Sequence, residues 1–445
     1  MKRAIKFLCL VLIAGLVISP ACVALPAAAD AETSKLVIYN WEEYIGPDVV
    51  EGFKAYYKTE TGRDIDVTYS TFDTNEIMMT TINQDANSQI DLICPSEYAI
   101  QRLQLAGKLM SLTDAQQQSG YTLQNKGNIN PVIYEKVAEA GIEIADYFVP
   151  YMWGTLGIMY NSDVVTEADL ANGYGLLWNK AGNKKLDGKI YMKDSIRDSY
   201  VAAVMYLKEE GRLEGTEYAD YTVAQLINCT DDLMLELAEE VLVEQRDVLK
   251  GYGVDNDKDD MQAGKAYVDL AWSGDAVYSI EVAEEGINLA YFVPESGGNL
   301  WFDGWAIPSA NVRNIEAALM FMDYINDPVV AVENMMEIGY TSAVKADVIK
   351  ASPEALQILA DNEYAAEEFF ADPVRYPDTS ESAKLGVMKD FGSRNEAANA
   401  MWERVKSQGF PITLVVIIVV IAVIVIGVVV FFIIKNKKGS MRQKV

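Results

Sequence analysis

Aromatic and acidic residues recur together after several predicted strands. Aromatic faces attract ammonium groups, and carboxylates accept charge-assisted hydrogen bonds from them. Each group alone is weak evidence, because a tryptophan or tyrosine usually fills a core and an acid is usually solvated. Together they suit a cation with a methylene stem. The groups are Trp41-Glu42-Glu43-Tyr44, Ser96-Glu97-Tyr98, Tyr151-Met152-Trp153, Trp272-Ser273-Gly274-Asp275 and Trp301-Phe302-Asp303.

The composition restricts the chemistry further. The 445-residue chain has no histidine, which excludes Ser/His/Asp relays and His-ligated zinc. Any catalysis would use carboxylates, Lys, Tyr or a cofactor. With 37 Lys and Arg against 65 Asp and Glu, the net charge of −28 disfavours nucleic acid and anionic lipid and favours small cations.

Alternating strands and helices must position these groups. Short apolar runs at 35–40, 64–70, 90–94, 144–149, 156–160 and 267–272 predict strands, and the stretches 48–60, 74–84, 97–107, 199–210, 230–250 and 313–326 predict helices. This alternation predicts an α/β fold with mostly parallel sheets. Ligands of such sheets bind beyond the carboxyl ends of the strands, where the aromatic and acidic groups occur.

Residues 1–31 have the three parts of a secretory signal: Lys2, Arg3 and Lys6, then an apolar run, then Ala-Asp-Ala at 29–31 as a cleavage site. The alternative is that Cys22 is a lipidated first residue, although Ser19-Pro20-Ala21 is a poor lipoprotein box. The sequence leaves both open.

The 24 uncharged residues 411–434 predict a transmembrane helix, since about 20 apolar residues cross a bilayer. The tail 435–445 contains five basic residues and no acid, so the positive-inside rule predicts a cytoplasmic C-terminus. We therefore expect a single-pass protein of the cell membrane with an extracellular or periplasmic body.

The body resembles the periplasmic spermidine/putrescine-binding proteins, the substrate receptors of polyamine ABC transporters. The resemblance covers residues 35 to about 400, and its segments occur in family order. They are YNWEEY (39–44), TYSTFDTNE (68–76), DLICPSEY (91–98), PYMWGTLGI (150–158), DSIRD (194–198), WSGD (272–275), WFDGWAIP (301–308) and IGYTS (338–342).

The resemblance implies a polyamine site between two lobes. Its aromatic walls fall on Trp41, Tyr44, Tyr98, Trp272, Trp301 and Tyr340, and its small polar contact falls on Ser96. Its acidic contacts fall on Asp198 and Asp303, with Arg197 orienting the loop of Asp198. Glu42 stands where a small polar residue is usual, and Ser195 replaces an acid of the spermidine receptors. Asp275 agrees with the putrescine receptors, so the choice between putrescine and spermidine stays open.

The resemblance also implies the architecture: a two-lobed, type II-like periplasmic-binding-protein fold, each lobe a mixed sheet flanked by helices. Residues 35–149 with 302–348 would form one lobe, and 150–301 with 349–405 the other, in a monomeric ectodomain. One apolar span cannot form a translocation path, and no phosphate-binding loop for ATP is present. Separate permease and ATPase subunits are therefore expected, and no cofactor or metal.

Aromatic and acidic groups are also typical of two other functions. A receptor for betaine or choline would also use an aromatic cage, but it would not need two acids on opposite sides. A glycosidase would need two catalytic carboxylates, and the sequence does not identify which acids would form a retaining or inverting pair.

Asp255, Asp257 and Asp259 alternate as in an EF-hand, but Asp260 and Ala266 stand where Gly and Glu are required. Cys94 and Cys229 could form one disulfide without being required to. Cys94 is expected to be a buried strand residue.

Overall fold

The computed structural model describes residues 33–84 and 89–407. The predicted signal, the predicted span 411–434 and the basic tail 435–445 lie outside the described residues. Within the described ranges, no helix has both the length and the apolar character needed to cross a membrane.

Thirteen strands and seventeen α-helices alternate along the described chain, as predicted from the apolar runs. The strands are β1 Ser34–Trp41, β2 Ile65–Phe72, β3 Leu92–Ile93, β4 Leu109–Met110, β5 Val149–Asn161, β6 Ile190–Lys193, β7 Leu249–Gly253, β8 Val268–Trp272, β9 Leu289–Phe292, β10 Gly298–Trp305, β11 Ile307–Pro308, β12 Thr341–Ser342 and β13 Leu385–Gly386.

The helices vary from one turn to about four turns. They are α1 Val49–Thr61, α2 Asn75–Gln84, α3 Glu97–Leu105, α4 Leu112–Ser119, α5 Pro131–Glu139, α6 Glu167–Leu170, α7 Ile196–Glu209, α8 Val223–Ile227, α9 Asp232–Gln245, α10 Asn256–Gln262, α11 Ser273–Val282, α12 Ile315–Ile325, α13 Pro328–Ile338, α14 Ala346–Lys350, α15 Pro353–Asp361, α16 Ala366–Ala371 and α17 Asn395–Ser407.

The first sheet contains the parallel strands β2, β1 and β3 in that order. Ile93 and Ala306 then exchange both backbone hydrogen bonds in an antiparallel bridge, at 3.0 and 2.8 Å. Because β11 follows Ala306 directly and pairs antiparallel with β4, the chain continues this sheet in mixed form.

The second sheet has the order β13-β10-β5-β8-β6-β7, with β9 and β12 also paired to β5. Strands β6, β7 and β8 are parallel, whereas β10 and β8 run antiparallel to β5. This sheet is mixed, so the expectation of mostly parallel sheets fails here. The prediction of a strand at 144–149 is also wrong, because the residues up to Phe148 form turn and irregular backbone, whereas the predicted strand 156–160 lies within β5, which runs from Val149 to Asn161. All but one of the residues of β5 are buried, so the sequence pattern shows no break within this strand.

Two main hydrophobic cores divide the molecule into two lobes. The first surrounds β1–β3 and includes the start of β5 and the residues 300–307, while the second surrounds β6, α7 and α9 and includes Leu156 and Ile158 of β5. Strand β5 therefore passes from one core to the other. Helices α14–α16 pack against α13 in a smaller cluster. The exact lobe boundaries stay a prediction.

Four strand-to-helix junctions open at the boundary of the two cores. Strand β1 leads through a loop to α1 and β3 ends just before α3 in the first lobe, and β6 and β8 end just before α7 and α11 in the second. These junctions carry three of the five predicted aromatic and acidic groups, whereas Tyr151-Met152-Trp153 lies within β5 and Trp301-Phe302-Asp303 within β10. Cys94 lies buried after β3, and it and Cys229 are both free thiols, so the optional disulfide is not formed.

Candidate functional site

One cleft between the lobes contains all the residues predicted for the site. It has about 920 Å³ of empty volume, including the part open to solvent. The predicted residues that line it are Trp41, Glu42, Tyr44, Ser96, Tyr98, Asp198, Trp272, Asp275, Trp301, Asp303 and Tyr340. The structure thus brings together side chains separated by up to three hundred positions, but their contact with a ligand stays a prediction.

Asp303 lies on β10, lines the cleft and is 6% exposed. The Tyr44 hydroxyl donates to its Oδ2 at 2.9 Å, whereas Oδ1 is buried and has no hydrogen-bond partner among the described residues. Burial raises the pKa of this carboxyl to about 7; hydrogen bonding to Ser96 and Tyr44 opposes the shift, and the charge of Asp198 adds to it. Asp303 is therefore an acceptor that lacks a cation.

Asp198 faces the cleft from the first turn of α7 in the second lobe. Ser195 caps this helix, and its hydroxyl accepts from the Asp198 backbone N–H at 3.4 Å. The Trp272 indole N–H donates to Asp198 Oδ1 at 3.2 Å. Burial is the main cause that raises the pKa of Asp198. The second buried acid thus comes from a different element and a different lobe core.

Six aromatic side chains, Trp41, Tyr44, Tyr98, Trp272, Trp301 and Tyr340, line the cleft around these acids. Trp41 and Trp272 approach across the cleft with 6.5 Å between ring centroids, and Tyr340 lies edge-on to Tyr44 at 4.7 Å and to Trp301 at 5.8 Å. The glycine of the WSGD segment is needed here, because a Cβ at Gly274 would clash with the Tyr340 ring.

Asp275 also lies at the cleft but has different surroundings. Its Oδ2 is 3.6 Å from Lys193 Nζ, and its Oδ1 is 3.5 Å from Lys258 Nζ. Lys193 is fully buried, with its Nζ 4.5 Å from the Trp272 ring centroid. The sequence analysis missed both lysines. The sequence signal for them was weak, because Lys193 only ends the apolar run IYMK and Lys258 is one cation within an acidic segment.

Arg197 and Asp198 lie in the first turn of α7 and not in a loop as predicted, and the Arg197 side chain contacts residues of both lobes. Its guanidinium lies 3.6 Å from the Tyr98 ring centroid and 4.1 Å from that of Phe391. It donates to the Lys389 carbonyl at 2.8 Å and lies 3.7 Å from Glu76 Oε1. Because Tyr98 and Glu76 belong to the first lobe and Phe391 to the second core, Arg197 connects the two walls of the cleft.

Two further polar residues of the cleft, Asn75 and Glu97, were not among the predicted site residues. Asn75 donates to Ser96 Oγ at 3.0 Å and to the Tyr98 hydroxyl at 2.9 Å. Glu97 accepts from the Phe302 N–H at 2.9 Å, and burial raises its pKa to about 8. Both residues lie in segments that the resemblance covers, but an asparagine or a glutamate in these segments does not by itself indicate that the side chain is buried and hydrogen-bonded.

The described residues contain no group of three metal-ligating side chains placed to hold a metal ion. The rejected EF-hand pattern forms the short helix α10 instead of a calcium loop. The cleft therefore presents acids, hydroxyls and aromatic faces, which together can hold an organic cation.

An α/β molecule whose two lobes enclose a ligand-sized cleft is the architecture of a solute receptor. Residues 53–360 match the family model described as bacterial extracellular solute-binding protein. The chain belongs to this family.

Two curated relatives of this chain are named as polyamine-binding proteins. The chain is 26% identical over 381 residues to the spermidine/putrescine-binding periplasmic protein of Salmonella typhimurium, covering 86% of this chain and 94% of that protein. It is 27% identical over 386 residues to the putrescine-binding periplasmic protein PotF of Escherichia coli, covering 85% and 92%.

A solved structure described as a putative spermidine/putrescine ABC transporter from Listeria monocytogenes has a TM-score of 0.66 and 26% identity, covering 84% of this chain and 99% of that one.

Proposed function

We propose that this protein is the substrate-binding receptor of a polyamine ABC transporter and that it holds putrescine or spermidine in the cleft between its lobes. The observation that carries the proposal is the pair Asp198 and Asp303, two buried carboxylates that form no ion pair among the described residues and are surrounded by aromatic faces. The two acids suit separated ammonium groups, and the rings suit the methylene stem between them.

The interactions are strong enough for capture. Several cation–π contacts of about 0.5–2 kcal/mol each, added to two ion pairs and reduced by the free energy of ordering, can reach the roughly −8 kcal/mol of a micromolar complex. No covalent step is needed. The receptor would bind its ligand and deliver it to separate permease and ATPase subunits.

Lobe closure would couple capture to delivery. We propose that residues 35–149 with 302–348 move as one lobe and residues 150–301 with 372–405 as the other. Helices α14–α16, which the resemblance placed in the second lobe, would move with α13 in the first lobe because they share its apolar cluster. The ion pair of Lys258 with Glu43, at 2.7 Å, joins an element of each lobe at the cleft, as the contacts of Arg197 do. Such bonds stabilise the closed form.

The location proposed for the body is extracellular or periplasmic, with the predicted span 411–434 as a single anchor and the C-terminus cytoplasmic. This proposal rests on the sequence of the chain ends and on the family. Protease added outside intact cells should release the body and leave a C-terminal tag protected. Digestion of that tag would contradict the topology.

Calorimetric titration of the purified full chain in mild detergent tests the ligand class. We expect micromolar or tighter binding of putrescine or spermidine, and none of glycine betaine, because a quaternary head has no N–H to donate to Asp198 and Asp303. Binding of betaine alone would favour a quaternary-amine receptor. Absence of polyamine binding would leave the family and fold but refute the polyamine function.

A further inference from the structure

The carboxylates of the cleft fall into two groups by their partners. In the first group each acid is already paired with a cation of the protein. Lys258 Nζ lies 2.7 Å from Glu43, 3.4 Å from Asp255 and 3.5 Å from Asp275. Arg197 lies 3.7 Å from Glu76.

Lys193 adds a second cation on the Asp275 side. Its Nζ is 2.9 Å from Asp257 Oδ2 and 3.6 Å from Asp275 Oδ2, and the side chain is fully buried. Burial alone would lower the pKa of this lysine, but Asp257, Asp269 and Asp275 raise it above the usual value. The pKa of Lys258 is likewise raised by Asp275, Glu43 and Asp255 against the effect of burial. Both lysines therefore keep their charge at neutral pH.

The second group consists of the acids without an ion pair. Four buried acids line the cleft within residues 33–84 and 89–407. Of these, Asp275 has ion pairs and Glu97 accepts a hydrogen bond from the Phe302 backbone N–H. The remaining two, Asp198 and Asp303, have neither kind of partner within these ranges. Glu42 and Asp73 also line it but are exposed to solvent, where an ion pair contributes little.

We propose, on the basis of the polyamine function above, that Lys193 and Lys258 are specificity-determining residues that limit the cleft to two buried ammonium sites. A third ammonium directed toward Asp275 would meet two fixed protein cations, and its desolvation would not be offset. If the third ammonium were directed toward solvent instead, the acids without an ion pair that it could reach would be the exposed Glu42 and Asp73, where an ion pair contributes little. The cleft thus selects a diamine over a triamine.

Titration of the full chain with putrescine and with spermidine gives the first test. We expect putrescine to bind at least tenfold more tightly. Equal or tighter binding of spermidine overturns the proposal while leaving the polyamine function intact. Absence of binding by both ligands refutes the polyamine function instead, so the two failures are distinguishable.

The Lys258→Met variant gives the second test, because it removes one cation and keeps an unbranched side chain of similar length. With Glu43 and Asp255 released and Asp275 left with Lys193 as its one cation, the spermidine affinity should rise at least tenfold relative to that of putrescine. Glu43→Gln is the matched control: it breaks the same 2.7 Å ion pair between the lobes but leaves both lysines, so any weakening should affect both ligands alike.

An unchanged affinity ratio in folded Lys258→Met overturns the specificity role, since a merely structural lysine would change both affinities together. A thermal melt establishes whether the variant folds. If it does not, the preference of the unmodified chain decides the proposal.

Discussion

Asp303 and Asp275 are both aspartates at the wall of the same cleft, and both are nearly inaccessible, at 6% and 3% exposure. Asp303 has a tyrosine hydroxyl on one oxygen and no protein cation, whereas Asp275 lies between two lysine ammonium groups. The comparison shows that residue type and burial do not determine the role of an acid. The neighbouring charges do.

The difference also has an energetic meaning. A buried carboxyl that lacks a cation disfavours its own ionised form, and its pKa rises. For Asp303 the value reaches about 7. A ligand ammonium would supply the missing charge. At Asp275 the two lysines already supply that charge, so a ligand cation would interact less favourably with this acid.

The largest effect should follow from Asp303→Asn. Removal of one partner of a buried, charge-assisted contact typically costs 2–5 kcal/mol, so polyamine affinity should fall about 100-fold. Calorimetric titration measures this. The fold should survive, because an acid whose folded-state pKa is raised destabilises the folded form as pH rises from about 4 through 7. At pH 8 the ligand-free variant should therefore melt at the same or a higher temperature, and unchanged affinity would refute the assignment of Asp303.

A smaller effect is expected from pH. With the pKa of free Asp303 at about 7, the carboxyl is mostly protonated at pH 6 and must lose its proton to pair with an ammonium group. Putrescine affinity should thus rise about tenfold between pH 6 and pH 8, with proton release on binding. Titrations in buffers of different ionisation enthalpy detect that proton. The slope should disappear in Asp303→Asn; a slope that persists there would assign the proton to another group.

The smallest effect on affinity should follow from Asp275→Asn, the matched substitution in the other region. Because protein cations already bind this acid, putrescine affinity should change less than about fivefold. Stability should fall instead, since breaking a buried ion pair costs about 3–5 kcal/mol. Thermal melting measures the change in stability, and calorimetric titration measures the change in putrescine affinity. A loss of affinity as large as that of Asp303→Asn would remove the distinction between the two regions.

Much of the site could be predicted before the structure. The eleven residues fall in one cleft because most of them follow strands or stand at helix starts, where side chains of parallel α/β sheets converge. The eight segments of the resemblance supplied the remaining positions. The strands β1 and β8 and the helices α1, α2 and α12 lie within one or two residues of the predicted ranges.

Other features could not be predicted because they depend on distant pairs. The extension of β5 from the predicted range 156–160 back to Val149 depends on antiparallel pairing with β10, which lies more than a hundred residues away along the chain. Lys193 and Lys258 are ordinary lysines in the sequence. Their place beside Asp275 results from the pairing of β6 with β8 and from α10 packing nearby.

The sequence by itself determined the class of chemistry, because residue types set what a site can bind: carboxylates and rings without histidine favour cations over nucleophilic catalysis. It also determined the order of strands and helices through the period of its apolar residues. Only the tertiary structure decided which acids keep an unneutralised charge. That property depends on distances of 3–4 Å between side chains far apart in the chain, and local sequence does not encode such distances.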